Sequence, residues 1–192
     1  MKLIRFAGSV GLALWAGASA AHPGGHESAS FLSGFSHPLG GVDHLLAMLA
    51  VGLYAARQGG RQRWALPTAF VLAMLAGAGA DALGIALPAV EAGIAASVLV
   101  LGLLIATAAR LPVAVALPLV AVFALFHGHA HHAEMGDSTL LAYTAGFALA
   151  TAALHAAGFL VGRWLPQTVW GQRLQRASGA LIAGAGAVFL GT

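Results

Sequence analysis

The chain is 192 residues long, 59% apolar and only 8% charged, with 26 Gly, no Cys and a mean hydropathy of +0.86. A soluble domain carries about a quarter charged residues, so a water-exposed globule is excluded, and apolar runs of about twenty residues point to an all-α polytopic membrane protein. The net charge of +3 comes from nine Lys and Arg against six Asp and Glu. These are scattered rather than arranged in a stripe that could follow a phosphate backbone, so nucleic acid is excluded as a partner. The absence of Cys removes disulfides, thiolate metal sites and Cys nucleophiles together.

The N-terminal segment MKLIRFAGSVGLALWAGASAAHPGG places Lys2 and Arg5 before an apolar stretch from Phe6 to Trp15, followed by Ala18, Ser19, Ala20 and Ala21. That order is a cleavable signal peptide, expected at 1–21. Cleavage after Ala20 or after Ala21 satisfies the small-residue rule equally, and the second makes His22 the mature N-terminus. The alternative is an uncleaved first span, against which the short apolar core argues. Residues 22–192 are then one transmembrane domain, a six-helix bundle with spans at roughly 38–56, 64–82, 86–108, 112–130, 139–162 and 175–191.

Arg57, Arg61 and Arg63 follow the first span, Arg110 follows the third, and Arg163, Arg173 and Arg176 follow the fifth. All basic residues beyond the signal segment thus fall on one side, cytoplasmic by the positive-inside rule. The opposite side holds the His-rich mature N-terminus, the connection around Pro88 and Glu91, and HGHAHHAEMGD. Both mature termini are therefore expected in the periplasm, with the chain in a bacterial inner membrane. Runs such as LAGAGADALG and ALIAGAGAVFLG are expected to be helix-packing seams, because small residues let backbones approach closely.

An ionisable group inside a bilayer is costly, so each one is a candidate for function. In HPLGGVDHLLAM, Pro38 suits a first helical turn, and His37 before it is expected outside the helix. Asp43 and His44 then lie about 8 Å deeper, with Met48 one turn beyond His44 on its face. Asp81 ends the second span, with Met74 two turns deeper on the same side, and Glu91 begins the third.

In FALFHGHAHHAEMGD, His127 and His131 share a face if the helix persists, as do His129 and His132. Gly128 leaves that continuation open. Together with Glu134, these residues come within reach of the outer ends of the first three spans. Imidazole with carboxylate suits borderline divalent ions such as nickel, cobalt and zinc better than magnesium or calcium. His155 lies about 22 Å from the outer surface and belongs to the cytoplasmic half. Bland alternatives stand beside these readings: a cross-helix hydrogen bond for His155, a solvated surface for His22, His26 and His132, and helix-dipole capping for Glu91 and Asp137.

The segment HPLGGVDHLLAMLAVGL resembles the HPxxGxDHxxAMxxxG signature of the HupE/UreJ family of hydrogenase and urease accessory membrane proteins. FHGHAHHAE resembles that family's second His-rich element, and the chain length, leader and Gly-rich last helix are similar too. The resemblance implies a nickel or cobalt permease, not an enzyme, with no prosthetic group and a divalent ion as cargo. It carries metal-handling roles onto His37, Asp43, His44, Met48, His127, His129, His131 and Glu134. His132 departs from the pattern, which more often has Gly there.

With Asp81, Glu91, His155 and His22 added from position, the expected pathway collects the ion outside and passes it to His37, Asp43, His44 and the His127/His129 pair. A cytoplasmic metallochaperone is the expected recipient. No P-loop is present, so transport is passive, ion-coupled or driven by a separate partner. Two rivals share the polar cluster: an intramembrane zinc hydrolase, and a metal sensor or chaperone without a pore. Nickel and cobalt accept the same ligands and are not separated by these residues.

Overall fold

The structure, a computed structural model, describes residues 25–165 and 168–192, with side chains from Ser28 onward. The signal segment with its two cleavage positions and His22 lie outside the described residues, as does the side chain of His26. Among the described residues, seven helices run in order: α1 (Gly25–Gly40), α2 (Val42–Ala55), α3 (Gln62–Ala82), α4 (Val90–Ala106), α5 (Val113–Ala133), α6 (Leu140–Trp164) and α7 (Val169–Leu190). No strand occurs among the described residues.

The helices α3, α5 and α6 are each long and apolar enough to cross a membrane, and α1 with α2 adds a fourth if the pair, bent by 84°, is one broken span. Helix α4 is apolar but has 17 residues. Helix α7 spends its first turns on Gln172, Arg173, Gln175 and Arg176. The described residues are therefore all-helical in class, and three to four of their helices meet the length and composition test where the sequence suggests six.

The largest departure from the sequence reading is α1. Pro38 is not in the first turn of a span, and His37 is not outside the helix: both lie within α1, His37 in its last turn. The break falls instead at Gly41, which is extended (φ −99°, ψ 119°) and caps α2. Pro38 costs α1 one backbone hydrogen bond, tolerable so close to a helix end. Asp43 and His44 consequently stand in the first turn of α2 rather than deeper in a longer helix.

Helix α5 runs unbroken through Gly128 to Ala133, beyond the expected end at 130. Glycine is needed there because α5 lies against α3: a Cβ on Gly128 would overlap the Met74 carbonyl. Helix α7 starts at Val169, so Arg173 and Arg176 are helical rather than in a loop. Its N-terminal part meets the end of α2, where the Arg57 guanidinium donates to Gln175 Oε1 at 2.6 Å.

The main pairings are α3 with α5, α4 with α7, and α6 with both α1 and α2. Helix α2 is the core of the bundle, buried at His44, Ala47, Met48 and from Ala50 to Ala55. Small residues make the seams: Gly52 and Gly158 join α2 to α6, Gly77 sits on the Leu125 backbone, and Gly186 on Leu99. The expected seams hold only in part, since Gly79 and Gly184 face open space. Leu72, Leu103, Val122, Leu149 and Leu181 point outward while His127, His131 and His155 are buried. That inverted polarity suits a hydrocarbon surrounding.

Candidate metal-handling site

His44 lies in the first turn of α2, directly after the carboxylate that orients it. Asp43 Oδ1 accepts from the backbone N–H of His44 at 2.8 Å and lies 3.0 Å from His44 Nδ1. A carboxylate only accepts, so Nδ1 carries the proton and Nε2 keeps its lone pair. Glycine at position 41 leaves room for this arrangement, because a Cβ there would stand 2.9 Å from Asp43 Oδ1 and 3.2 Å from His44 Nδ1.

His127 is fixed the same way by its own helix: Nδ1 donates to the Phe123 carbonyl at 2.9 Å. One turn on, His131 shares its face. His44 Nε2, His127 Nε2 and both ring nitrogens of His131 are buried without a hydrogen-bond partner among the described residues. Each such orphan costs about 1–3 kcal/mol, a cost that ligand binding would offset.

The rings stand edge to face, with centroids 5.0 Å apart for His44 and His127, 4.5 Å for His44 and His131, and 5.0 Å for His37 and His131. Among the described residues, no three His, Asp or Glu side chains already converge on one metal position. Binding an ion here requires the touching rings to turn toward it. At the rim, His37 Nε2 lies 2.8 Å from Glu134 Oε2, and Glu134 is half exposed.

A second group forms between the C-terminal ends of α3 and α5. Asp81 lies 2.7 Å from His132 Nδ1 and 3.0 Å from His129 Nε2. The backbone N–H of Leu87 reaches the same His129 nitrogen at 3.2 Å. One nitrogen cannot accept from the amide and donate to the carboxylate at once, so this group has two proton arrangements.

The expected outer residues are thus divided. His37, Asp43, His44, His127, His131 and Glu134 come together, whereas His129 faces Asp81 instead of pairing with His127 toward α2. Glu91 is exposed in the first turn of α4, where a carboxylate meets the positive helix end. It makes no hydrogen bond or ion pair with the described residues.

Met48 is fully buried one turn beyond His44. His155 stands apart, buried with neither ring nitrogen partnered among the described residues. The Phe70 ring lies between the two levels, 5.4 Å from His127 and 5.0 Å from His155 by centroids. His155 also lines a groove of about 540 Å³ between α3 and α6, walled by Trp64, Pro67, Leu72 and Phe159, with Arg63 at the N-terminal end of α3. Phe70 and Thr151 carry no charge or imidazole to single them out in the sequence. Their spacing of four from Met74 and His155 is the one signal that could have found them.

The family model described as HupE / UreJ protein matches residues 10–189. The chain belongs to the HupE/UreJ family. A HupE/UreJ relative, Protein HupE from Rhizobium leguminosarum bv. viciae, is 43% identical over 171 residues, covering 88% of each chain. No solved structure matches. In this HupE/UreJ chain, the signature segment HPLGGVDHLLAM is the α1–α2 corner. Its His37, Asp43 and His44 stand around the bend and its Met48 beneath, which accounts physically for a Gly at the turn and an acid beside the second His.

Proposed function

We propose that the protein is a permease carrying Ni2+, or Co2+, from periplasm to cytoplasm across a bacterial inner membrane, supplying hydrogenase or urease maturation. One observation carries the reading: free imidazole nitrogens of His44, His127 and His131 are buried together in an apolar bundle. Membership of the HupE/UreJ family supports the cargo. Glu134 and His37 collect the ion at the rim, with His22, Glu91 and the Asp81 group as further outer ligands. The ion passes to His44, His127 and His131, then to His155, and leaves by the inner half toward a cytoplasmic recipient.

Such a route must bind strongly enough to strip part of the hydration shell and weakly enough to release. Neutral imidazoles with a nearby carboxylate fit that need better than a closed four-ligand cage. The test is accumulation of radioactive nickel in cells lacking other permeases, with cobalt and zinc as competitors. Uptake is expected to vanish in His44→Ala and His127→Ala while membrane protein levels hold. Undiminished accumulation in both variants would refute the reading, and turnover of lipid amides without metal movement would favour a hydrolase.

A further inference from the structure

Beneath the imidazoles, three helices aim heteroatoms at one point in the core. Thr151 Oγ1 of α6 lies 3.4 Å from Met48 Sδ of α2 and 3.6 Å from Met74 Sδ of α3. None of the three residues has exposed surface. Met48 is one turn inward of His44, Met74 one turn outward of Phe70, and Thr151 one turn outward of His155. The point therefore lies between the outer imidazoles and His155.

Packing alone accounts poorly for this group. Met fills irregular gaps well, but the gap would not then need a hydroxyl. A helical Thr usually returns its proton to a carbonyl one turn back, as Thr107 does to Leu103 at 2.7 Å. Thr151 makes no such bond, and its only acceptors among the described residues are two thioether sulfurs, which accept weakly.

We propose that Met48, Met74 and Thr151 form a second metal station, a soft-donor site that takes Ag+, Cu+ and borderline divalent ions and offers hard ions only one neutral hydroxyl in place of their water. It rests on the permease reading for its place in transport, and on the sulfur geometry for its existence. Thioethers are neutral, so the site takes a cation without releasing a proton. Mg2+, Ca2+ and Mn2+ prefer oxygen and gain little there.

The chain has no Cys and four Met, so sulfur bound to an added metal reports methionine alone. The experiment loads the purified full chain with Ag+ and reads the sulfur shell by X-ray absorption, in wild type, Met48→Leu/Met74→Leu and His44→Ala. Leu replaces Met at similar volume and keeps the core filled. The sulfur shell is expected in wild type and His44→Ala and absent in the double variant. In the purified chain, the affinity for Ag+ is expected to fall about tenfold or more in the double variant.

A folded double variant that keeps the sulfur shell and the wild-type Ag+ affinity overturns the station. So does a wild-type protein with no sulfur shell. A wild-type chain that accumulates neither nickel nor cobalt, yet loses its sulfur shell in the double variant, supports the station as a metal site and refutes the permease reading. The Thr151→Val variant, which keeps the shape and removes the hydroxyl, is expected to keep the sulfur shell while weakening Ag+ binding; unchanged binding removes Thr151 from the site.

Discussion

His44 and His127 face each other with ring centroids 5.0 Å apart and planes 76° to one another, each with Nδ1 engaged and Nε2 free. They reach that arrangement from opposite directions, one through a side-chain carboxylate beside it and the other through a helix carbonyl one turn back. Asp43 is the replaceable half of this scheme. In Asp43→Asn the amide oxygen still accepts from Nδ1, but the charge that strengthens His44 as a donor is gone. Nickel affinity and uptake are expected to fall about 10–100-fold, with Asp43→Ala at least as severe. Isothermal titration and uptake at matched protein level check this, and wild-type values in Asp43→Ala would remove the carboxylate from the site.

Glu134 acts earlier. Its side chain is 53% exposed beside His37, so its charge works through water on an arriving cation rather than on a desolvated one. Glu134→Gln is expected to raise the KM for nickel severalfold with little change in kcat, and wild-type KM is expected to rise with ionic strength more steeply than the variant's. Uptake rates across a nickel series at two salt concentrations read both effects. A lowered kcat with unchanged KM would place Glu134 in the later steps instead.

Imidazole binds a metal only when neutral, and ordinary imidazole takes up a proton near pH 6.5. Protons and nickel therefore compete, and the sign follows: as the pH falls the protonated fraction grows, binding weakens and uptake falls. Initial nickel uptake is expected to be lower at about pH 5.5 than at about pH 7.5, because protons compete with the cation for imidazole nitrogen. A rise on acidification would refute direct ligation by neutral His and point to proton-coupled transport.

Much of the site is legible in the residues because helical spacing is strict. His127 with His131, His129 with His132, and His44 with Met48 are each three or four apart, and each pair lies on one face. Spacing does not say which face meets α2, and that decides whether His129 or His131 stands beside His44. The answer follows from the α3–α5 contact at Gly128, which turns His129 and His132 onto Asp81. Helix α1 escapes the sequence reading for a different reason. GHESASFLSGFSHPLG has too few apolar residues to read as a span, and a Pro near a helix end resembles a Pro at a helix start.

The same contact supplies a stability prediction with its own control. A Cβ on Gly128 would overlap the Met74 carbonyl, and backbone, unlike a side-chain tip, cannot swing aside. Gly128→Ala should therefore push α5 off α3, at a cost of about 1–3 kcal/mol. The Asp81–His132 contact at 2.7 Å and the Phe70–His127 contact at 5.4 Å both cross that seam, so nickel uptake should fall together with Tm. At Gly184 an added methyl would meet no heavy atom within 4 Å, and Gly184→Ala should leave uptake unchanged and Tm no lower, since Ala favours a helix over Gly. Thermal unfolding of the two variants in one detergent separates the cases: a wild-type Tm for Gly128→Ala would mean that α3 and α5 can part by a methyl's width without loss, and that the seam does not hold the imidazoles in place.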